Sequence, residues 1–517
     1  MLKLKNSPAN ITAYTLIVLS LVFGFFIRLF SVLKYTTFFY YDQARDAEIY
    51  MEMWQGNWPI LGPSASVGGY HLPPLYYYLV FPFTIFGPDP VFTAIPNALF
   101  SFLSIPLLIY LVYELLENVE YSKRLLLAGL AGFWYSLIFG EIFISTFQWN
   151  PSPIVFFLLC FTLLYKYQLE ARFSLVPQCF SWVLYGIVLA ILISLHSTTL
   201  FVMPVVFIAS SILFISKNRR TPIRYLLPIL SVLAAFVALF PYWKGEISRG
   251  WLNTKQIMVT LTSSNQEAHS NILSKIGRLV FNYVELGQQA YFTGEGWFYI
   301  LISTIFLAIV LTVGIAKFKG NKTIFSVLAF TWSIYLYAAS NYQGIYYVHY
   351  KLLILIAPII LAVLSLAYLD LSRKTDKLLS VFLIVSIVLS ILININYDYQ
   401  YLTSKYSQNR LVSTSDITQI LSQLPANSTI CTFDPKPVGW MSMYQPYKYI
   451  DKYITKKNLN IVKTFCQAGN YLVYPKSYMV QRTDNLFPVF KVYSNPDLAQ
   501  DYSTVLETPV ADVYLLK

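Results

Sequence analysis

The chain has 517 residues and a formal net charge of +12, yet only 12% of its residues are charged and 56% are hydrophobic; its mean hydropathy is +0.54. Soluble domains carry roughly 25% charged residues, so a water-soluble globular protein is excluded and a polytopic membrane protein is indicated. The basic residues fall in short clusters between apolar runs rather than along one amphipathic face, which argues for membrane orientation and against a nucleic-acid partner.

The first apolar run, Tyr14 to Leu33, follows Lys3 and Lys5, is longer than a signal-peptide core and lacks a small-residue cleavage site, which predicts an uncleaved first span. Further runs of spanning length, about 20 residues, lie near 91–115, 125–145, 151–167, 179–196, 198–216, 225–243, 297–316, 323–340, 351–370 and 378–396. The expectation is an all-α membrane domain over 1–396 with about eleven transmembrane helices. The stretch "LPPLYYYLVFPFTIFG", Leu72 to Gly87, is apolar but short and interrupted by Pro73, Pro74 and Pro82.

Loop charge decides how that stretch is read. If it does not cross, Lys123/Arg124, Lys166/Arg172, Lys217/Arg219/Arg220/Arg224, Lys317/Lys319/Lys322 and Arg373/Lys374/Lys377 all share a side with the N-terminus, as the positive-inside rule requires. It is therefore predicted to be a re-entrant or juxtamembrane segment whose broken backbone is satisfied by protein or water. Twelve spans with an inverted N-terminus is the alternative. With the N-terminus cytoplasmic, the loop 34–71, the turn "STFQWNPS", the loop 244–296 and everything after Tyr397 face outside.

The last part of the chain, 397–517, changes character. "SDITQILSQL" places Ile417, Ile420, Leu421 and Leu424 at helical spacing, with Asp416 and Gln419 in capping-box positions. The β-rich runs "STICTF", "NIVKTF", "YLVYP", "FPVFKVY" and "ADVYLLK" follow. A small extracytoplasmic α/β domain is expected. Cys431 and Cys466 lie in it and are able to pair if the domain is outside the cytosol, whereas Cys160 and Cys179 lie in or beside apolar runs.

The chemistry-bearing residues concentrate in the outer loops. In "YYDQARDAEIY", helical spacing places Asp42 and Asp46 on one face about 6 Å apart along the axis, with Arg45 beside them. Two carboxylates next to a guanidinium make a base and its tuning partners; a solvated loop helix capped by Asp42 is the plainer reading. Glu48 and Glu52 are expected to be solvated. His349, Tyr350 and Lys351 stand at the outer end of a span in "NYQGIYYVHYKLL", as a phosphate-binding group or as an interfacial belt with a snorkelling lysine. Arg28 and Lys34 are weaker candidates of the same kind. His196 in "ISLHSTTL" is an ionisable residue at a membrane edge. His71 and Glu246 complete the outer set as substrate contacts or ordinary loop residues. No P-loop, dinucleotide fingerprint, Cys/His zinc pattern or nucleophile elbow is present in a fitting context.

The order of these features, from "YYDQARDAEIY" through "GGYHLPPLYYYLVFPFTIFGPDP" to "RLLLAGLAGFWYSLIFGEIFISTFQWNPSPIVFFLL", resembles the protein mannosyltransferase-like membrane glycosyltransferases of the GT-C fold, glycosyltransferase family 39 and its bacterial relatives that glycosylate lipid A and other envelope glycans. The resemblance is best over the N-terminal 200 residues and implies an inverting glycosyltransferase. Its donor would be a polyprenyl-phosphate-linked sugar, and its acceptor a hydroxyl of a glycan, lipid or protein at the outer face of the cell membrane. The family's first-loop catalytic aspartate falls on Asp42. Family members often have a glutamate directly after it, where this chain has Gln43, so Asp46 completes the acidic pair. A second-loop acid falls on Asn150, a departure that weighs against a divalent metal, although Glu141 or Glu246 stand in reserve. A polymerase or ligase of envelope polysaccharides is the alternative enzyme. A transporter or flippase of lipid-linked sugars is the non-enzymatic one, and it predicts two related halves.

Overall fold

The computed structural model describes residues 8–33, 39–65, 68–170, 175–218, 222–266, 272–294, 296–341, 347–403, 412–432, 443–463, 467–475, 477–480, 489–492, 502–508 and 511–517. Its helices in chain order are α1 (Pro8–Leu33), α2 (Tyr41–Trp54), α3 (Leu75–Val80), α4 (Pro90–Leu115), α5 (Tyr121–Ser136), α6 (Phe139–Ser145), α7 (Ile154–Glu170), α8 (Leu175–Leu195), α9 (Ser197–Lys217) and α10 (Leu227–Ala238). They continue with α11 (Phe240–Ser248), α12 (Leu252–Gln266), α13 (Ile272–Leu286), α14 (Trp297–Ala316), α15 (Lys322–Ser340), α16 (Ala357–Tyr368), α17 (Lys374–Leu402), α18 (Thr414–Gln423) and α19 (Tyr444–Ile450).

Among the described residues seven helices, α1, α4, α8, α9, α14, α15 and α17, are long and apolar enough to cross a membrane, and up to nine spans result if two bent pairs each count as one. The protein is a multi-pass membrane protein. The bent pairs are α5–α6, broken by 58°, and α10–α11, broken by 60°; both were read as single straight runs in the sequence. The remaining two runs form shorter helices, α7 with 17 residues and α16 with 12. The run 351–370 is not one helix. A 3-10 turn, Val348–Lys351, and a turn at 352–356 precede α16, a local geometry that apolarity cannot report.

α1 illustrates how the bundle packs. Its buried residues Asn10, Ala13, Ser20, Gly24, Ile27, Arg28, Ser31 and Val32 fall along one face of the helix, while Val18, Val22, Phe25 and Phe26 are exposed on the outside. Lipid solvates the large apolar side chains, so small and polar residues line the helix contacts. A Cβ on Gly24 would lie 2.2 Å from the tip of the Ile105 side chain of α4, so the two helices approach closely at this glycine. α16 is the opposite case: Ile359 to Leu364 are at most 1% exposed, so this helix is apolar all round and fills the centre.

Leu72–Gly87 forms α3 followed by a 3-10 helix, Phe81–Phe86. Six residues of each geometry extend about 21 Å, short of the roughly 30 Å hydrocarbon core. α3 carries Tyr76 and Tyr77 inward, both buried.

The C-terminal region is a mixed α/β unit. Its main sheet has the order β2-β1-β3-β7-β6, and a separate hairpin pairs β4 with β5. The strands are β1 (Thr429–Thr432), β2 (Asn460–Val462), β3 (Tyr471–Pro475), β4 (Ser477–Val480), β5 (Val489–Val492), β6 (Tyr502–Glu507) and β7 (Ala511–Leu516). β1 runs parallel to β2 and β3, and β7 antiparallel to β3 and β6. All five β-rich runs seen in the sequence fall on strands; β4 and β6 add to them. Ile417, Ile420, Leu421 and Leu424 are buried as their spacing requires. The N-cap of α18 is Ser413, bonded reciprocally with Asp416, one box earlier than the Asp416/Gln419 assignment. Cys431 is disulfide-bonded; Cys466 and Lys34 lie outside the described residues.

Candidate active site

Helix α2 starts with Tyr40 as N-cap, and Gln43 turns back so that its Oε1 accepts from the Tyr40 amide at 3.2 Å. Gln43 is thus a capping residue, which leaves Asp42, Arg45 and Asp46 to form the polar face. The Arg45 guanidinium lies between the two acids: Nη1 is 2.8 Å from Asp42 Oδ1, and Nη2 is 2.7 Å from Asp46 Oδ1. Arg45 Nε donates a second bond to Asp46 Oδ1 at 2.8 Å.

The two acids differ in access. Asp46 is 1% exposed. Tyr77 of α3 donates its hydroxyl to Oδ1 at 2.9 Å, and Gln148 donates Nε2 to Oδ2 at 2.9 Å. With both oxygens held, Asp46 is an anchor. The Asp42 side chain is 38% exposed, and Arg45 is its one salt-bridge partner among the described residues. Partial burial raises its pKa from that of an ordinary aspartate; Arg45 pulls it down and the nearby Asp46 charge pushes it up. An accessible, less acidic carboxylate held in a fixed direction is what a general base requires.

Gln148 belongs to the turn between α6 and α7, which Asn97 of α4 holds by donating to the Phe147 carbonyl at 2.8 Å and the Trp149 carbonyl at 3.1 Å. The next residue, Trp149, places its ring 4.3 Å from the His349 ring. One peptide unit therefore joins the carboxylate cluster to a second group. In that group His349 lies 4.3 Å from Tyr350 and 5.6 Å from His196, and His196 lies 5.0 Å from Tyr350, all between ring centroids. The His196 Nδ1 accepts from the Thr198 amide at 3.2 Å, which assigns its proton to Nε2.

Beneath these rings, Lys351 is fully buried and its Nζ lies 2.5 Å from Glu285 Oε2 and 2.6 Å from Gln289 Oε1. Glu285 ends α13, and Gln289 lies in the π-turn Gly287–Tyr291 that follows it. The structure thus brings Asp42, Arg45, Asp46, His196, His349, Tyr350 and Lys351 into one continuous region. Asn150 borders it and donates to the Leu195 carbonyl at the end of α8, a bond that fixes the approach to His196.

His71 and Glu246 are drawn into a different task. The hairpin Gly62–Leu72 is bonded to the start of α12: Asn253 accepts from the His71 amide at 2.5 Å and donates to the His71 carbonyl at 2.7 Å. His71 Nδ1 donates to the Gly62 carbonyl at 3.0 Å. Any Cβ on Gly62 would lie 2.3 Å from the Pro73 carbonyl oxygen. Glu246 is fully buried and accepts from the Thr254 amide at 2.8 Å. Neither residue has a described contact with the carboxylates of α2.

Tyr77, Gln148, Glu285 and Gln289 were not singled out in the sequence. Gln148, a polar residue directly beside Trp149 in a turn between apolar runs, carried the clearest signal. As to a metal, both oxygens of Asp46 are engaged and Asn150 faces a carbonyl. Among the described residues no group of three or more His, Cys, Asp or Glu side chains converges.

No family model matches the sequence, and no curated protein is similar to it. Among solved structures, ArnT from Cupriavidus metallidurans in the apo state superposes with a TM-score of 0.55 at 12% identity, over 94% of this chain and 98% of that one. The same protein bound to undecaprenyl phosphate gives a TM-score of 0.52 at 12% identity, over 92% and 97%. The oligosaccharyltransferase AglB from Archaeoglobus fulgidus, in complex with an inhibitory peptide and a dolichol-phosphate, gives 0.44 at 12% identity, over 88% and 65%. From α1 to the C-terminal sheet, the chain has the fold of ArnT, the GT-C fold of membrane glycosyltransferases.

Proposed function

We propose that the protein transfers a sugar from a polyprenyl-phosphate-linked donor to a hydroxyl of an envelope glycan, lipid or protein, with inversion, at the outer face of the cytoplasmic membrane. The observation that carries this reading is the division of labour on α2: Asp46 is saturated by Arg45, Tyr77 and Gln148, while Asp42 is left accessible. The GT-C fold, and undecaprenyl phosphate bound to ArnT, support the donor class. In this reading 1–396 is the membrane transferase domain, with a cytoplasmic N-terminus, and 397–517 an extracytoplasmic domain.

In the reaction, the acceptor oxygen forms a bond to the anomeric carbon as the carbon–phosphate oxygen bond breaks. Asp42 takes the hydroxyl proton. The lipid phosphate departs as an anion and needs no protonation, so one carboxylate base suffices, unlike glycoside hydrolysis with its acid–base pair. Arg45, with 28% of its side chain exposed, offers the departing phosphate charge-assisted hydrogen bonds. His196, His349 and Tyr350 line the donor side. Lys351 stands in an ion pair with Glu285, so it orders the floor of that region before it meets any phosphate.

The test is transfer of radiolabelled sugar from a panel of polyprenyl-phosphate sugars by purified protein in lipid, with Asp42→Asn alongside. Transfer that disappears in the variant supports the reaction and the base. Transfer that survives it moves the base elsewhere, and silence across the panel from a well-folded sample counts against the reading.

A further inference from the structure

Glu48 does not face solvent alone, as its sequence context suggested. On a helix of 100° per residue it lies about 240° round from Asp42 and about 200° from Asp46, on the opposite side of α2. There its Oε1 accepts from Lys452 Nζ at 2.5 Å and from the Tyr453 hydroxyl at 3.0 Å, both in the turn that follows α19. Lys452 is also 4.7 Å from the Tyr453 ring, so the pair meets Glu48 as a unit.

The same region grips the loop at its two ends. Before α2, the Phe39 amide donates to the Val412 carbonyl at 3.2 Å, and the Tyr40 hydroxyl accepts from the Val412 amide at 3.4 Å. The buried Phe39 ring lies 5.7 Å from the Tyr449 ring. Just before α4, Pro88 accepts the Tyr449 hydroxyl at 2.6 Å. α2 has 14 residues, a length at which a helix owes its stability and pose to tertiary contacts. One face is held by Tyr77 and Gln148 through Asp46, and the other by the C-terminal domain through Glu48.

We propose that the C-terminal domain is a positioning element of the active site, in which Lys452 and Tyr453, acting through Glu48, set the rotation of α2 and so the direction in which Asp42 points. This rests on the reading of Asp42 as the base. Lys452 and Tyr453 touch none of the reacting groups. Their effect is on the orientation of a carboxylate whose misplacement by about 1 Å costs up to 10²-fold in rate.

The experiment uses the full-length protein in lipid with Lys452→Met, Tyr453→Phe, their combination, and the charge exchange Glu48→Lys with Lys452→Glu. Amide hydrogen exchange over α2 is followed together with kcat and donor KM. The expected result is faster exchange in α2, an unchanged melting temperature and, for the combined variant, a kcat lower by about tenfold with donor KM within about twofold. The acid limb of the pH profile moves down as Asp42 becomes better solvated, and the charge exchange restores both exchange protection and kcat. Unchanged α2 exchange and kcat in the combined variant would overturn the proposal, as would a charge-exchanged protein no better than Lys452→Met. If the unaltered protein transfers no sugar, the functional reading fails, while the hydrogen-exchange arm still decides whether the C-terminal domain holds α2.

Discussion

Two clusters in this molecule use the same ingredients and end in opposite states. On α2, Arg45 sits between Asp42 and Asp46, and one of the three remains open. Inside the bundle, Arg28 of α1 pairs with Glu141 of α6 at 3.2 Å; its Nε donates to the Ser101 hydroxyl at 2.5 Å, and that hydroxyl donates on to Glu141 at 2.6 Å. A further bond from Arg28 reaches the Ser136 carbonyl at 3.0 Å, where α5 ends. Arg28 and Glu141 are 0% and 2% exposed. The first cluster leaves one carboxylate, Asp42, accessible. The second engages all three nitrogens of its arginine within protein and fastens α1, α4 and the α5–α6 bend. An arginine paired with an acid is thus uninformative by itself, and access separates the open cluster from the sealed one.

The sharpest way to break the comparison is to remove the arginine of the sealed cluster. Arg28→Met leaves Glu141 buried beside Ser101 with no cation, and breaking a buried pair on one side costs about 3–5 kcal/mol. The expected outcome is a large loss of thermal stability in detergent and poor recovery of folded protein, with kcat of the surviving fraction little changed. The mirror experiment is Asp42→Asn. It is expected to lower kcat by about 10²–10⁴-fold, the range for a general base, while the melting curve stays where it was, because Asp42 carries only an exposed ion pair. Stability loss from Asp42→Asn, or a specific catalytic loss from Arg28→Met, would exchange the roles assigned to the two clusters.

A smaller effect tests the third polar assembly, which joins the first loop to α12. Asn253→Ala leaves the amide and carbonyl of His71 without their partners, a cost of about 1–3 kcal/mol for buried polar groups. Hydrogen exchange should rise in the Gly62–Leu72 hairpin and leave the Asp46 contacts protected. Loss of protection throughout α2 would show that the hairpin and the carboxylate face are one unit.

These clusters also mark what a sequence makes legible. Long apolar runs report their own burial in lipid, so the polytopic class, the short Leu72–Gly87 segment and five strands of the C-terminal region, four in the main sheet and one in the smaller one, were readable from composition and periodicity. Bends were not, because the breaks after Ser136 and Ala238 fall inside continuous apolar sequence. Asp42, Arg45 and Asp46 were legible through their i, i+3 and i+4 spacing. Arg28 was not, since an arginine near the end of a first span reads equally well as snorkelling, and its partners lie 73 and 113 residues away. Glu48 was opaque for the same reason: Lys452 lies 404 residues further along the chain. Local patterns reveal which residues share a face, whereas long-range pairing decides what that face meets.

The finest discrimination within the open cluster comes from pH. As the proposed base, Asp42 acts only when ionised, and burial raises its pKa above that of an ordinary aspartate, so the acid limb of kcat/KM, which reports the free enzyme, should be shifted up from that of an ordinary aspartate. Arg45 favours the charged form of Asp42, and Asp46 disfavours it. Arg45→Gln therefore moves the limb to higher pH, because the stabilising cation is lost. Asp46→Asn moves it to lower pH, because a like charge is removed and Arg45 is left to Asp42 alone. Two neighbouring substitutions that displace one limb in opposite directions would identify Asp42 as the titrating base, since a distant base would feel neither change strongly. A limb unmoved by both would place that base outside α2 while leaving the sealed Arg28–Glu141 cluster unaffected.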